Sequence, residues 1–161
     1  MSHNPDITKI RISIPTHAYF ISGIRDFTMS LVKNMTGFSE KWAFRFQAII
    51  DELCNNAIEH GSKEGDDISI TFLTVKGKTL TLIVEDHGGA PTAKNAKQMQ
   101  QLLKERLEEN SKNVMNSFSI RGRGLSQIIY AWTDSLEFFD RPEGGLKVQI
   151  SKSIEEENDS K

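Results

Sequence analysis

Cysteine is nearly absent: Cys54 is the only one in 161 residues, which excludes an internal disulfide and makes a reducing cytoplasm the expected compartment. Long apolar runs are absent too. No stretch approaches the roughly 18 residues of a membrane span, and the first residues, MSHNPDITKIRIS, lack the apolar segment of a signal peptide, so no membrane partner is expected. Nor is there a surplus of one charge. Twenty Lys and Arg against twenty-two Asp and Glu leave a net charge of −2, which gives no electrostatic reason to bind nucleic acid or an anionic surface. No internal period of solenoid or propeller length is present. The length fits one domain, expected over residues 1–153, with the Glu-rich residues 154–161 as a solvated, disordered tail.

What is present begins with alternation. Residues 8–14, TKIRISI, put Ile10, Ile12 and Ile14 on one face of a predicted strand that Pro15 closes. Thr16 is the expected cap of a first helix running to about Asn34. Ser39 is the expected N-cap of a second, whose wide apolar stripe includes Trp42, Phe46, Ile49, Ile50 and Leu53. That helix is expected to end at Gly61, a residue suited to the left-handed position after a C-terminus. DISITFLTV (67–75) and TLTLIVE (79–85) predict a hairpin around Lys76-Gly77-Lys78. Between Asp86 and Arg123 the composition changes: Gly88, Gly89 and Pro91 break the strand, KQMQQLLKERLEE reads as weakly helical, and NSKNVMNSFS is polar. This is too long for a plain connection. A buried helix over 124–132 and a hairpin of SLEFF and LKVQISK around RPEGG complete an α+β order.

Three segments carry polar chemistry. In DELCNNAIEHG (51–61), Glu52, Asn56 and His60 are spaced by four, and each step of four keeps side chains within about 40° on a helix, so the three form one ridge that faces solvent or a ligand. IVEDHGGAP ends a strand in Asp86-His87-Gly88-Gly89, a carboxylate followed by residues without side chains. SIRGRGLSQII sets Gly122 and Gly124 before a helix whose first amides are unpaired, a place that attracts phosphate. Each has an ordinary explanation as a solvated face, a turn or a tight corner; it is their order along the chain that points to a site.

In that order the chain resembles the GHKL superfamily of Bergerat-fold ATPases and, within it, the anti-sigma-factor serine kinases. DELCNNAIEHG is similar to the N box, VEDHGG to the G1 box and RGRGLSQII to the G2 box, with TDSLEF and a final strand following; the likeness spans residues 8–152. The resemblance implies a two-layer α/β sandwich in which helices cover one face of a mixed, mostly antiparallel sheet, with ATP and Mg2+ as cofactors. It also implies Glu52 as general base in phosphoryl transfer, Asn56 as an oxygen ligand of Mg2+, and Asp86 as acceptor for the adenine amine. Gly88 would let the base lie against the backbone, Gly122 and Gly124 would hold the phosphates with charge from Arg121 and Arg123, and His60 shares the pocket ridge. The pattern departs from the family at Ala90, where a glycine or proline is common, and in the short glycine run of the G2 box. Lys94, Lys97, Lys104 and Arg106 between the boxes follow no pattern that assigns one to a phosphate.

Seven residues precede the first strand, too few for the helix pair that carries the phosphoacceptor of sensor histidine kinases, and the transducing domains of gyrase-type and chaperone-type relatives have no counterpart after the sheet. The resemblance therefore implies an anti-sigma factor with ATP-dependent serine/threonine kinase activity toward an anti-sigma-factor antagonist, holding a sigma factor in an alternative complex and forming a homodimer, with no direct nucleic-acid contact. Arg25 and Asp26 are the candidate partner contacts. The alternative expectation is a nucleotide-binding regulatory protein that sequesters its partner without phosphotransfer. Other assignments are disfavoured: Asn55 points about 100° from Asn56, Glu59-His60 lacks the second histidine of a zinc-protease motif, and Cys54 has no neighbouring cation to activate it.

Overall fold

A computed structural model describes residues 6–112 and 125–154, with side chains at 6–109 and 129–154. Strand β1 (Ile7–Pro15) leads through a short 3-10 turn (Ala18–Phe20) into α1 (Ile21–Met35); α2 (Glu40–Asn56) continues into a wider, π-type turn (Ala57–Gly61). The hairpin β2 (Asp67–Val75) and β3 (Thr79–Glu85) follows, then α3 (Ala96–Lys112), α4 (Leu125–Trp132), β4 (Ser135–Asp140) and β5 (Leu146–Ser153).

The strands form one sheet in the order β1-β2-β3-β5-β4, and every neighbouring pair is antiparallel. A mixed, mostly antiparallel sheet was expected; the antiparallel character holds, and no parallel pair is found among the described residues because the β4–β5 hairpin folds back so that β5 lies between β3 and β4, opposed to both. Register explains the core. Ile12, Ile70, Val84, Val148 and Phe138 stand in one row across the sheet, and Ile10, Phe72, Leu82, Ile150 and Leu136 in the next. These rows pack against Ile24, Leu31 and Val32 of α1 and Phe46, Ile49, Ile50 and Leu53 of α2. Each fully buried Ile, Leu or Phe contributes about 1.5–3 kcal/mol of transfer free energy, so the covered face fixes the register. The row behind, Arg11, Thr71, Ile83, Gln149 and Glu137, is mostly polar, as period-2 alternation requires. The two-layer α+β sandwich is the architecture expected.

Three local expectations are corrected. Thr16 does not cap a helix: both its amide and its hydroxyl donate to the Asp66 carbonyl, at 2.9 and 2.7 Å, tying the end of β1 to the start of β2, and His17 caps the short turn instead, its Nδ1 accepting the Tyr19 amide at 3.0 Å. Gly61 is not a left-handed C-terminal residue; it lies inside the wide turn closed by Ser62 N to Ala57 O at 2.9 Å. Ile154, assigned to the tail, packs against the core and donates its amide to Lys78 O at 2.8 Å. Ser39 caps α2 as expected, accepting from the Trp42 amide.

The later helices are docked by side chains. Asn95 and Gln98 form a reciprocal capping pair at the start of α3, at 2.8 and 2.9 Å, and Asp140 on β4 accepts the Ala96 amide at 2.8 Å. At the last turn of α4, Trp132 shares the Arg45 guanidinium with Trp42, at 4.9 and 4.8 Å from the ring centroids. Among the described residues no helix is long and apolar enough to cross a membrane. Gly122, Gly124, Arg121 and Arg123 lie outside the described residues.

Candidate functional site

α2, the end of β3, the β4–β5 turn and α3 enclose a cavity of about 570 Å³. Glu52, Asn56 and His60 all line it, so the four-residue spacing does produce one ridge on one wall. From Gly61 back to Glu52 that wall is ten residues long, nine steps or roughly 14 Å of helix. α3 runs along the opposite side with Met99, Leu102 and Arg106 turned inward: Met99 packs with Phe138 and Leu146, while the charge of Arg106 acts on Glu52. The cavity therefore has two ends, one at Asp86 and Gly61, the other at Glu52 and Arg106.

The Asp86 end is built from backbone. Asp86 is 5% exposed, and its Oδ1 accepts two amides, Gly88 N at 2.8 Å and Leu146 N at 3.1 Å. Oδ2 lies against Gly61, where a β-carbon would sit inside the carboxylate; this contact, not a helix-cap conformation, is why residue 61 is glycine. Gly88 has φ +69°, and a β-carbon there would be 3.2 Å from the backbone of Gly145; a β-carbon on Gly145 would overlap the Asp86 carbonyl. Three glycines thus let three chain segments close on one side chain. Burial pushes the Asp86 carboxyl above its ordinary range, while the two amides and then Arg141 pull it back. Two amides donating to Oδ1 mark it as an acceptor, and a carboxylate so held offers its remaining oxygen to a hydrogen-bond donor on a ligand. The turn is braced from the end of the wide turn that follows α2: His87 N donates to Ser62 Oγ at 2.9 Å, and Ala90 N donates to Gly61 O at 3.2 Å, leaving His87 exposed.

The Glu52 end is built from side chains. Burial first, then the negative charges of Asp51 and Glu59, raise the Glu52 pKa above its ordinary 4.5; the Arg106 charge and an N–H donated by Asn56 oppose the rise. Because Asn56 spends its N–H on Glu52, its amide oxygen is the atom available to a cation. Asn55 does not line the cavity; its side-chain amide donates to Asp51 O at 2.9 Å. His60, half exposed at 51%, has Nδ1 2.8 Å from Thr92 Oγ1 and so pins the loop after the Asp86 turn to α2. Cys54 is fully buried and its thiol is pushed up to about 12 by burial, which makes it an inert part of the core.

Of the cations between the boxes, Lys94 and Arg106 reach the cavity wall and Lys97 and Lys104 do not. Sequence reasoning missed Arg141, whose Nη1 donates to Asp86 O at 2.5 Å, whose Nε pairs with Glu85 at 3.2 Å and whose Nη2 reaches Glu143 at 3.3 Å. It also missed Gly145, Ser62 and Thr92. The signal for Arg141 and Gly145 was the RPEGG turn, which comes to lie beside Asp86 only once β5 is known to pair with β3.

A family model for the histidine kinase-like ATPase domain matches residues 15–152. The chain belongs to that family. A search of curated proteins returned no match. The matched span of the histidine kinase-like ATPase domain contains every wall of the cavity described above, and the family makes ATP the ligand of the domain and ATP-dependent, kinase-type regulation its broad role.

Proposed function

We propose that this chain is an ATP- and Mg2+-dependent serine/threonine kinase that acts as an anti-sigma factor: it phosphorylates the antagonist protein that competes for it, and it sequesters a sigma factor in an alternative complex. The observation that carries this reading is Glu52, a half-buried carboxylate on the cavity wall, one helical turn from Asn56, with its proton affinity raised by burial. A serine or threonine hydroxyl needs such a base as it attacks phosphorus, whereas an imidazole nitrogen already carries a free lone pair. In the step proposed, the substrate hydroxyl oxygen bonds to the γ-phosphorus and its proton passes to Glu52. The bond from the γ-phosphorus to the β–γ bridging oxygen breaks, and ADP leaves with that electron pair.

The base of ATP is assigned to the Asp86 end, with its exocyclic amine on Oδ2 and Gly88 beside the ring, and the phosphates to the Glu52 end. Mg2+, when bound, supplies charge neutralisation there. The donor chemistry suits it: Asn56 lines the cavity beside Glu52 and, with its N–H given to Glu52, keeps a neutral amide oxygen, the kind of donor a hard ion accepts alongside phosphate and water. Arg106 adds a guanidinium opposite Glu52, and Gly122, Gly124 and Arg123 keep the phosphate-holding role that the resemblance implies. Arg25, which pairs with Asp51 at 3.7 Å on the half-exposed outer side of α1, and its neighbour Asp26 are the proposed partner contacts, and the proposed assembly is a homodimer.

The test is to incubate wild type and Glu52→Gln with Mg2+-ATP and a candidate antagonist protein, and to follow phosphate addition by intact mass. Glu52→Gln should slow transfer at least about a hundredfold while ATP affinity stays within about threefold. Unchanged transfer would remove Glu52 as the base. Tight, nucleotide-dependent partner binding by the wild type with no phosphate added would favour the sequestering protein without phosphotransfer.

A further inference from the structure

Asp86 and Leu146 face each other one step beyond the paired residues Glu85 and Lys147, so they form an antiparallel pair of the kind that exchanges two backbone hydrogen bonds. Only one is made in the usual way, Asp86 N donating to Leu146 O at 3.0 Å. The return bond is diverted: Leu146 N donates to the Asp86 side chain, Oδ1, at 3.1 Å. That leaves the buried Asp86 carbonyl without its ladder partner, and a buried carbonyl left unpaired is costly. Arg141 fills the place. Its Nη1 donates to Asp86 O, while its Nε holds Glu85, so one guanidinium straddles the last two residues around the end of β3. The side chains of Arg141 and Glu85 are 13% and 20% exposed, so the pair is sheltered; Glu143, its second partner, is 73% exposed. The turn that presents Arg141 is closed on itself, Arg141 N to Gly145 O and Gly144 N to Arg141 O, both at 3.0 Å.

We infer that Arg141 is the positioning residue for base recognition: by taking over the Asp86 carbonyl it releases the Leu146 amide to anchor the carboxylate, and so aims Oδ2 at the exocyclic amine of the nucleotide. Without it, the Leu146 amide returns to the carbonyl, Oδ1 keeps only the Gly88 amide, and the carboxylate is free to rotate. A lysine is a poor substitute, because a single ammonium cannot present the planar fork that meets a carbonyl and a carboxylate together. The inference rests on the assignment of the base to the Asp86 end.

The experiment compares ATP with inosine triphosphate, which carries a carbonyl where ATP carries the amine, by calorimetric titration of the full chain in Mg2+. Wild type should prefer ATP. Arg141→Met should lower ATP affinity about tenfold and change inosine triphosphate affinity less than twofold, so that the preference collapses; Arg141→Lys should give a loss of about threefold to fivefold with the same selectivity. Combining Arg141→Met with Asp86→Asn should cost no more ATP affinity than Asp86→Asn alone, because one residue acts through the other. Equal weakening toward both nucleotides, or no change toward either, would overturn the role, and Arg141→Lys decides the matter if Arg141→Met does not fold. A wild type without preference for ATP would instead overturn the placement of the base at Asp86.

Discussion

The two ends of the cavity are made differently. Around Asp86 the chain uses backbone: two amides on one carboxylate oxygen, glycines at 61, 88 and 145, and an arginine on the carbonyl. Around Glu52 it uses side chains carried on two helices, a glutamate whose burial is opposed by an arginine and an amide. Backbone contacts cannot be re-aimed without moving strands, which suits a surface that reads a rigid ring. Side chains on helices can be repositioned as charge arrives, which suits a surface that must first hold a triphosphate and then accept a proton. On the proposed assignment, the end that reads the base is over-determined and the end that carries the chemistry holds its carboxylate at a cost.

If that contrast is right, damage at the two ends should separate. The largest effect expected is on turnover alone: Glu52→Gln should lower phosphotransfer by roughly 10² to 10⁴, the usual worth of a general base, with ATP affinity nearly unchanged in titration. Next comes Asp86→Asn, which replaces Oδ2 or Oδ1 with a donor facing donors. Loss of a charged hydrogen bond, about 1.5–3 kcal/mol, predicts roughly a tenfold to hundredfold loss of ATP affinity. Transfer at saturating ATP should be largely kept, and a parallel fall in saturated turnover would blur the two ends into one. Gly61→Ala places a methyl in the Asp86 carboxylate; overpacking predicts about 1–3 kcal/mol of lost stability in urea titration, together with weaker ATP binding. A variant that binds ATP normally would show that residue 61 is glycine for some other reason.

The smallest effect should be one of stability, and its sign distinguishes a strained carboxylate from a structural one. The folded-state pKa of Glu52 is raised above the unfolded value, so its contribution is fully favourable below about pH 4.5 and is lost as pH rises through the folded value. Glu52→Gln should therefore raise the Tm at pH 7, with the gain disappearing as pH falls below the ordinary glutamate range. In the wild type the same shift should place the acid limb of the transfer rate above pH 4.5.

Much of the scaffold was legible from local rules. The bounds of β2 and β3 follow from strict alternation interrupted by a lysine-glycine-lysine turn, and Ser39 caps α2 through a contact three residues away, Trp42 N to its hydroxyl, which lies within the reach of a local rule. The polar ridge was legible because helical spacing is a property of the segment itself. Legibility failed where a partner distant in sequence overrode the local rule. Thr16 would cap a helix if Asp66 did not claim it, fifty residues away. Gly61 looked like a helix terminator, whereas the side chain that forbids a β-carbon there belongs to Asp86. Arg141 acts on a residue 55 positions earlier, and its role depends on β5 inserting between β3 and β4, an order that no short segment encodes. Lys94 and Arg106 could be told from Lys97 and Lys104 only once the path of the chain along the cavity, including the orientation of α3, was known.

The most direct measurement is a crystal structure of the chain with Mg2+ and a non-hydrolysable ATP analogue. The account predicts the exocyclic amine of the base within hydrogen-bonding distance of Asp86 Oδ2, and the terminal phosphate at the other end of the cavity, beside Asn56 and within reach of Glu52. Density for the nucleotide outside this cavity, or reversed in it with phosphates against Asp86, would contradict it.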